Sequence, residues 1–132
     1  MKRFLVLLIL AAVLAGCSAA RIRSQLDESV DSYNKSLRLL DWETAGLFTA
    51  GPISEEFKKR AQASADVQMV DCRVVNTVYD AEKRDAVVDV EIEYYKNFSP
   101  VVKTLLDRQK WKYLDEKGTK GWRLTSLIPE FR

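Results

Sequence analysis

The sequence contains no histidine, and only two cysteines and three prolines among its 132 residues. Without histidine, the chain cannot form a Ser-His-Asp or Cys-His catalytic centre, a histidine proton shuttle near neutral pH, or the commonest zinc sites. The acidic turn around Glu82 is interrupted by Lys83 and Arg84 and lacks the spacing of an EF-hand. We therefore expect neither a metal nor a cofactor.

The first eighteen residues have the pattern of an export signal. Lys2 and Arg3 precede the apolar run Phe4 to Val13, which is shorter than the roughly 20 apolar residues that a helix needs to cross a bilayer. The following Leu14-Ala15-Gly16-Cys17 resembles the lipobox of bacterial lipoproteins. The resemblance implies cleavage before Cys17 and lipidation of its thiol by diacylglycerol. The alternative is an ordinary secretory signal with small residues at its cleavage site.

Lipidation of Cys17 predicts an anchored protein of the bacterial cell envelope. Each buried methylene contributes about 0.8 kcal/mol, so two or three acyl chains hold a protein on a membrane durably. Ser18 stands where an aspartate resembles the inner-membrane retention signal of bacteria with two membranes. Serine there favours the outer membrane, facing the periplasm, over the inner membrane.

The expected domain organisation is a cleaved signal peptide at residues 1–16, a lipidated N-terminus and short tether at 17–20, and a single globular domain at 21–132. The short tether predicts that Arg21 and Arg23 lie near the lipid headgroups. Cleavage removes two basic residues and no acid, so 19 basic residues face 19 acidic ones in the mature chain. A neutral domain of this kind is not expected to bind nucleic acid, since phosphate neutralisation supplies most of that affinity.

Lipidation leaves Cys72 without a partner for a disulfide. We expect it to be a small, buried apolar residue on a strand. The alternatives are a reactive thiol and a mixed disulfide.

Apolar periodicity predicts three helices in the first half of the chain. A spacing of three and four residues predicts a helix over about residues 20–40. A short second helix, capped by Asp41, is expected from Trp42 to about Thr49, and a third from a cap at Ser54 to about residues 63–65. The apolar stripe of the first helix consists of Ile22, Leu26, Val30, Tyr33, Leu37 and Leu40.

From Val67 onwards the period changes to two, which predicts four antiparallel strands. They are expected over residues 67–79, 86–94, 101–114 and 122–127, separated by polar turns. On the first strand, the alternating residues Val70, Cys72, Val74 and Val78 are expected to share one face.

This element order predicts an α+β fold with helices on one face of a curved sheet. Three segments carry a resemblance: Leu40 to Ala45 after the long helix, Lys110 to Tyr113 on the third strand, and Gly121 to Leu124 at the end. With these segments, the chain resembles the nuclear transport factor 2-like superfamily, which has a cone-shaped fold. A cystatin-like arrangement is the alternative, although it has one helix rather than three. The superfamily includes isomerases, dehydratases and hydrolases as well as binding domains, so the resemblance assigns no activity.

The third strand carries one candidate catalytic group, Asp107. If its face lines the interior, desolvation near aromatic rings raises the carboxyl pKa and suits a proton-transfer base, with Tyr33 or Tyr94 as hydrogen-bond donor. We favour the alternative that a bulge in so long a strand leaves Asp107 and Gln109 in solvent. Strict alternation would place five side chains on that face: Leu105, Asp107, Gln109, Trp111 and Tyr113.

Two further groups are candidates for binding. Arg108, Lys110 and Lys112 could meet anionic lipid or an acidic partner, although a solvated sheet face is the favoured interpretation. An apolar ligand pocket could be lined by aromatic side chains, although aromatic residues on strands more often belong to the core. The candidates for that pocket are Trp42, Tyr94, Trp111 and Tyr113.

The favoured functional hypothesis is a non-enzymatic, lipid-anchored envelope domain that binds a partner protein or a small apolar ligand. The alternative is a small histidine-free enzyme of isomerase or dehydratase type that uses Asp107. A third hypothesis is a purely structural envelope component. Pairing of two copies through the sheet is a further hypothesis.

Overall fold

The computed structural model describes residues 1–132, apart from the side chain of Ala15. Helix α1 (Lys2–Arg38) is followed by α2 (Trp42–Gly46), a 3-10 turn (Gly51–Ile53) and α3 (Ser54–Ala63). Four strands then form one antiparallel sheet in chain order. The predicted α+β class with helices and a four-stranded antiparallel sheet is confirmed. The strands are β1 (Val67–Asp80), β2 (Asp85–Lys96), β3 (Ser99–Glu116) and β4 (Thr119–Leu124).

Helix α1 is longer than the sequence predicts, because the apolar run of the signal continues it towards the N-terminus. Its first half is exposed, and its length and composition would allow it to cross a membrane, as those of a signal sequence near an N-terminus also would. From Ile22 onwards the predicted stripe is buried as far as Leu37. Leu40 lies beyond the helix, in a left-handed conformation with φ of 56°.

The short helices begin with different caps. Asp41 caps α2 as predicted, and its Oδ1 accepts a hydrogen bond from the Thr44 N–H at 3.1 Å. The prediction that Ser54 caps α3 is wrong, because Ser54 is the first helical residue and Ile53 precedes it as the cap. The Gly51-Pro52 turn leads the chain directly into the helix, which leaves no extended residue for a serine cap.

Strand β1 departs from strict alternation at two irregularities, at Val70 and Val75. An extra residue in one strand reverses the face of every side chain that follows. Cys72 packs against the core, whereas Val78 points to the other face and is 60% exposed. The prediction of one shared apolar face is therefore wrong for Val70 and Val78.

Strand β3 contains no irregularity where the sequence analysis favours one. Its pairing with β2 runs without interruption from Lys103 to Lys112. Asp107, Gln109 and Trp111 are consequently buried on the face that packs against the helices. The favoured prediction that Asp107 and Gln109 lie in solvent is wrong.

Aromatic side chains fill the space between the helices and the sheet. Tyr33 of α1 meets Trp111 of β3 edge to face, with ring centroids 5.6 Å apart, and lies against Phe57 of α3. The C-terminal segment closes the far end, where Phe131 packs on Tyr94 at 4.9 Å. The centre of the domain is therefore a packed core.

Candidate functional site

A buried polar cluster connects α1 to β3. Asn34 and Gln109 exchange two amide hydrogen bonds: Asn34 Nδ2 donates to Gln109 Oε1 at 3.3 Å, and Gln109 Nε2 donates to Asn34 Oδ1 at 2.8 Å. Gln109 Nε2 also donates to Asp107 Oδ2 at 3.1 Å. Trp111 Nε1 donates to Gln109 Oε1 at 3.2 Å. We call Asn34, Asp107, Gln109 and Tyr33 the interior cluster.

The hydrogen bonds of Gln109 explain why β3 remains regular at this point. A buried amide is costly unless its donors and acceptor are satisfied. Gln109 makes four hydrogen bonds while it is 1% exposed. These partners all lie inside the domain, so burying the Gln109 side chain costs little free energy. A bulge that would expose this side chain to solvent is therefore not needed.

Asp107 is the acidic member of the interior cluster and is 5% exposed. Burial raises the pKa of its carboxyl to about 6, and the hydrogen bond from Gln109 opposes this rise only in part. A carboxyl group with such a pKa exchanges a proton close to neutral pH, which is the property of a general acid or base.

The Tyr33 hydroxyl is buried and has no hydrogen-bond partner within the described part of the chain. Burial raises its pKa well above the ordinary value, and the charges of Asp107 and Cys72 raise it further. A buried hydroxyl without a partner is uncommon in folded proteins. Tyr33 is one of the two tyrosines, with Tyr94, that are predicted from the sequence as hydrogen-bond donors to Asp107.

Cys72 lies beside the interior cluster and is half-buried. Burial, with smaller contributions from Asp71 and Asp107, raises the pKa of its thiol to about 12. Such a thiol is protonated at neutral pH, and the thiolate is the nucleophilic form. The structure therefore favours the apolar role expected for Cys72 over the reactive one.

A cleft of about 600 Å³ lies between α1 and β1, next to the interior cluster. Asn34 and Cys72 belong to its lining, together with the cations Lys35, Arg38 and Arg73. Neither Asp107 nor Gln109 is among the residues that line the cleft. A molecule in the cleft would thus contact the cluster through Asn34, and not Asp107 directly.

The four aromatic residues predicted to line a ligand pocket are not brought together. Trp111 is enclosed in the core, and Tyr113 packs on Trp122 at 5.6 Å. The Tyr94 hydroxyl donates to the carbonyl of Arg132 at 2.9 Å, at the C-terminal end of the domain. Trp42 borders a separate small cleft beside α3. Each ring therefore fills a different part of the structure.

The sheet face away from the helices, here called the outer face, carries charge in rows. Asp89, Glu91 and Glu93 alternate along β2, and Arg108, Lys110 and Lys112 alternate along β3. Ion pairs connect neighbouring strands, with Arg108 Nε at 2.9 Å from Asp89 Oδ1 and Arg73 Nη2 at 2.6 Å from Glu91 Oε1. Arg108, Lys110 and Lys112 are exposed, as the favoured interpretation of this strand predicts.

Apolar side chains are exposed on the outer face among these charges. Leu106 is 55% exposed and Val78 is 60% exposed. Leu106 could have been placed there from the sequence, because it alternates with Arg108. Val78 could not, because its direction depends on the irregularities of β1.

At the N-terminus, Cys17 is exposed on α1, five residues before the first buried side chain, Ile22. The sequence model of the prokaryotic membrane lipoprotein lipid attachment site matches residues 1–18. The chain is a lipid-anchored protein of the bacterial envelope. The lipobox and signal-peptide predictions are thereby confirmed. No curated protein matches the sequence.

Two solved structures have a similar fold. A SEC-C motif containing protein from Psychrobacter arcticus superposes with a TM-score of 0.61 at 11% identity, over 77% of this lipoprotein and 59% of that chain. A SEC-C motif containing protein from Rhodopseudomonas palustris gives a TM-score of 0.54 at 11% identity, over 72% of each chain. The lipoprotein thus spans less than two thirds of the first of these proteins. At such identities the likeness shows the fold alone, and these neighbours do not support the nuclear transport factor 2-like assignment.

Proposed function

We propose that this lipoprotein is a non-enzymatic assembly domain of the envelope that pairs with a second copy of itself through its outer face. The helices cover the other face of the sheet, while Leu106 and Val78 stand exposed among the charged rows. The observation that carries the proposal is the segregation of charge, with acids along β2 and bases along β3.

The lipid anchor restricts how two copies can pair. Helix α1 lies along β1, because Arg23 meets Tyr79 at one end and Arg38 shares a cleft with Cys72 at the other. The helix from Arg23 to Arg38 is about 22 Å long, and the strand from Cys72 to Tyr79 is about 23 Å long. The two elements therefore run side by side over this length. Two copies on one membrane must point both anchors the same way, so a two-fold axis runs parallel to the strands.

A two-fold axis in this direction brings opposite charges together. With the axis between β2 and β3, the outer face of β2 in one copy lies across from β3 in the other. The acids Asp85 and Asp89 then oppose Lys112 and Arg108 of the partner, and the arrangement repeats by symmetry. Complementary charge favours this register over others, and the exposed Leu106 provides apolar area at its centre.

The experiment that tests this proposal uses two differently tagged, lipidated copies in the same cells. Capture of one tag after mild detergent extraction should recover the other. Lys110→Glu with Lys112→Glu in both copies should abolish recovery, because two acidic faces then meet. Combining that copy with one carrying Asp85→Lys and Val87→Lys should restore recovery, because residues 85 and 87 lie across from residues 112 and 110 of the partner in this register. Lys58→Glu with Lys59→Glu on α3 is the matched control, and loss of recovery in that variant would count against the proposal.

A second candidate function is acid–base catalysis at Asp107. The specific observation in its favour is a buried carboxyl with a pKa of about 6 beside the unpartnered Tyr33 hydroxyl. It ranks second because the adjoining cleft reaches Asn34 and not Asp107. A turnover of small carbonyl compounds that is lost in Asp107→Asn and retained in Lys110→Glu would favour the enzyme.

The nuclear transport factor 2-like assignment stays part of the proposal. Three helices before a four-stranded meander support it. A small apolar ligand receives less support than a protein partner, since aromatic side chains occupy the interior.

For location we propose the outer membrane, on the basis of Ser18, with residues 1–16 removed, 17–20 as the tether and 21–132 as the domain. Density fractionation of the membranes tests the location. Ser18→Asp should move the protein to the inner-membrane fraction. Intact mass of the mature protein tests cleavage before Cys17.

A further inference from the structure

We infer that the groove between α1 and β1 binds a short extended segment of a partner protein, which adds to the open edge of the sheet as a further strand. The segment carries a basic side chain two residues from an apolar one. The inference does not depend on pairing through the outer face, because the groove lies on the side of the sheet that the helices cover.

Strand β1 is an edge strand, because it pairs only with β2 within the described part of the chain. Along such an edge, alternate residues direct their N–H and C=O groups away from the sheet, where they have no strand partner. The Cys72 N–H donates instead to the carboxylate of the preceding Asp71, at 2.9 Å. This carboxylate supplies an acceptor that a neighbouring strand would otherwise provide. The edge is therefore open to the backbone of another chain.

Two adjoining clefts form the groove. The cleft of about 600 Å³ between α1 and β1 is followed by a second cleft of about 370 Å³, and Asp31 and Val74 line both. The second cleft extends along β1 as far as Thr77. From Cys72 to Thr77 the strand is about 17 Å long, which is the length of about five extended residues. The groove thus accommodates a short peptide alongside β1.

Val74 is an apolar side chain that the helices leave uncovered. It pairs with Val90 of β2, so the two side chains share the face of the sheet that packs against the helices. Val90 is fully buried, whereas Val74 is 42% exposed. An apolar side chain of an added strand, placed over Val74, would remove this surface from water.

A polar stripe of α1 forms the opposite wall of the groove. Its residues recur at spacings of four, three, four and three, which places them on one helix face. Within the described residues, Glu28 and Asp31 form no ion pair, and the nearby Asp27 pairs with Arg23 at 3.8 Å. The lining of the second cleft includes these three acids and no base. The stripe consists of Ser24, Glu28, Asp31, Lys35 and Arg38.

The first cleft carries charges of both signs. Lys35 and Arg38 line it together with Asp31, and Asp71 lies next to Cys72. The preference for a basic side chain is therefore confined to the second cleft, around Glu28. This is the end of the groove nearer to Cys17 along α1.

The structure of the edge favours a short segment of another protein over β1 of a second copy. The irregularities at Val70 and Val75 interrupt the edge, and such irregularities oppose pairing with a long regular strand. A second β1 would also lack a free basic side chain. Its only basic residue is Arg73, which is paired with Glu91 at 2.6 Å.

The experiment selects peptides from a displayed library of random heptapeptides on the mature lipidated protein in detergent micelles. The selected peptides should carry lysine or arginine two residues from an apolar residue. Val74→Lys should abolish their binding, because a charged side chain then occupies the groove. Val78→Lys lies on the same strand but on the outer face, so it is the matched control and should retain binding. Failure to enrich any peptide on the wild type over Val74→Lys would overturn the inference.

Charge exchange and hydrogen exchange give the second readout. Glu28→Lys with Asp31→Lys should weaken a selected peptide at least about tenfold. Replacing the basic residue of the peptide by glutamate should restore binding to that variant, which also shows that the variant is folded. Bound peptide should slow amide exchange in residues 71–77, because pairing protects backbone N–H groups. A peptide that leaves these amides unprotected, or that is indifferent to the charge at 28 and 31, would contradict strand addition in this groove.

Discussion

Asn34 and Gln109 pair their side-chain amides across the core, with hydrogen bonds of 2.8 and 3.3 Å between residues 75 positions apart in the chain. This pair connects the long helix to the central part of β3 and places Gln109 against Asp107. The hydrogen bonding around the Asp107 carboxyl therefore depends on one contact between α1 and β3.

Asn34→Leu should destabilise the domain by about 1–3 kcal/mol, because Gln109 loses a partner for its amide while it stays buried. Urea unfolding of the wild type and the variant measures the difference. Adding Gln109→Leu should cost less than the sum of the two single changes, since the two amides are removed together. Strict additivity would show that they do not act as a pair.

Asp107→Asn should remove a pH dependence of stability between about pH 4 and pH 6. Burial raises the carboxyl pKa to about 6 in the folded state, so the folded state binds more protons than the unfolded state in this interval. Stability contributed by Asp107 is therefore present at low pH and lost as pH rises through 6. The loss is on the order of 3 kcal/mol.

Unfolding of wild type and Asp107→Asn at pH 4, 5, 6 and 7 tests the sign. Since asparagine can still accept from Gln109, the variant should be the more stable protein at pH 7 and nearly equal at pH 4. Parallel pH profiles for the two proteins would contradict a raised carboxyl pKa.

Tyr33→Phe should leave the free energy of unfolding unchanged or raise it by up to about 1 kcal/mol, because the buried hydroxyl has no described partner to lose. Tyr94→Phe is the matched change and should cost about 1 kcal/mol, since its hydroxyl donates to the Arg132 carbonyl. Thermal unfolding of both variants measures these two changes in stability. A clear loss of stability in Tyr33→Phe would reveal a partner for that hydroxyl.

Much of the fold follows from local pattern. The stripe from Ile22 to Leu37 and the strict alternation of β2 predict a helix and a half-buried strand, and both form. Element order then gives the α+β class. The irregularities at Val70 and Val75 could not be predicted, because a bulge depends on pairing with β2 rather than on the residues of β1 themselves.

The interior cluster likewise depends on contacts between residues that are far apart in the sequence. Alternation alone places Asp107 and Gln109 beside Trp111, but polarity favours solvent for both. The deciding fact is the amide of Asn34, which lies on α1 and meets Gln109 only in the folded domain. The missing partner of Tyr33 is likewise a property of the packed core.

Sedimentation equilibrium of the mature domain, with Cys17→Ser to prevent lipidation, tests the central claim most directly. The account predicts a concentration-dependent monomer–dimer equilibrium in the micromolar range, abolished by Lys110→Glu with Lys112→Glu. An equimolar mixture of that variant with Asp85→Lys and Val87→Lys, the positions across from 112 and 110, should sediment as a dimer. A wild-type domain that stays monomeric throughout, or a dimer that is indifferent to these changes, would contradict pairing through the outer face.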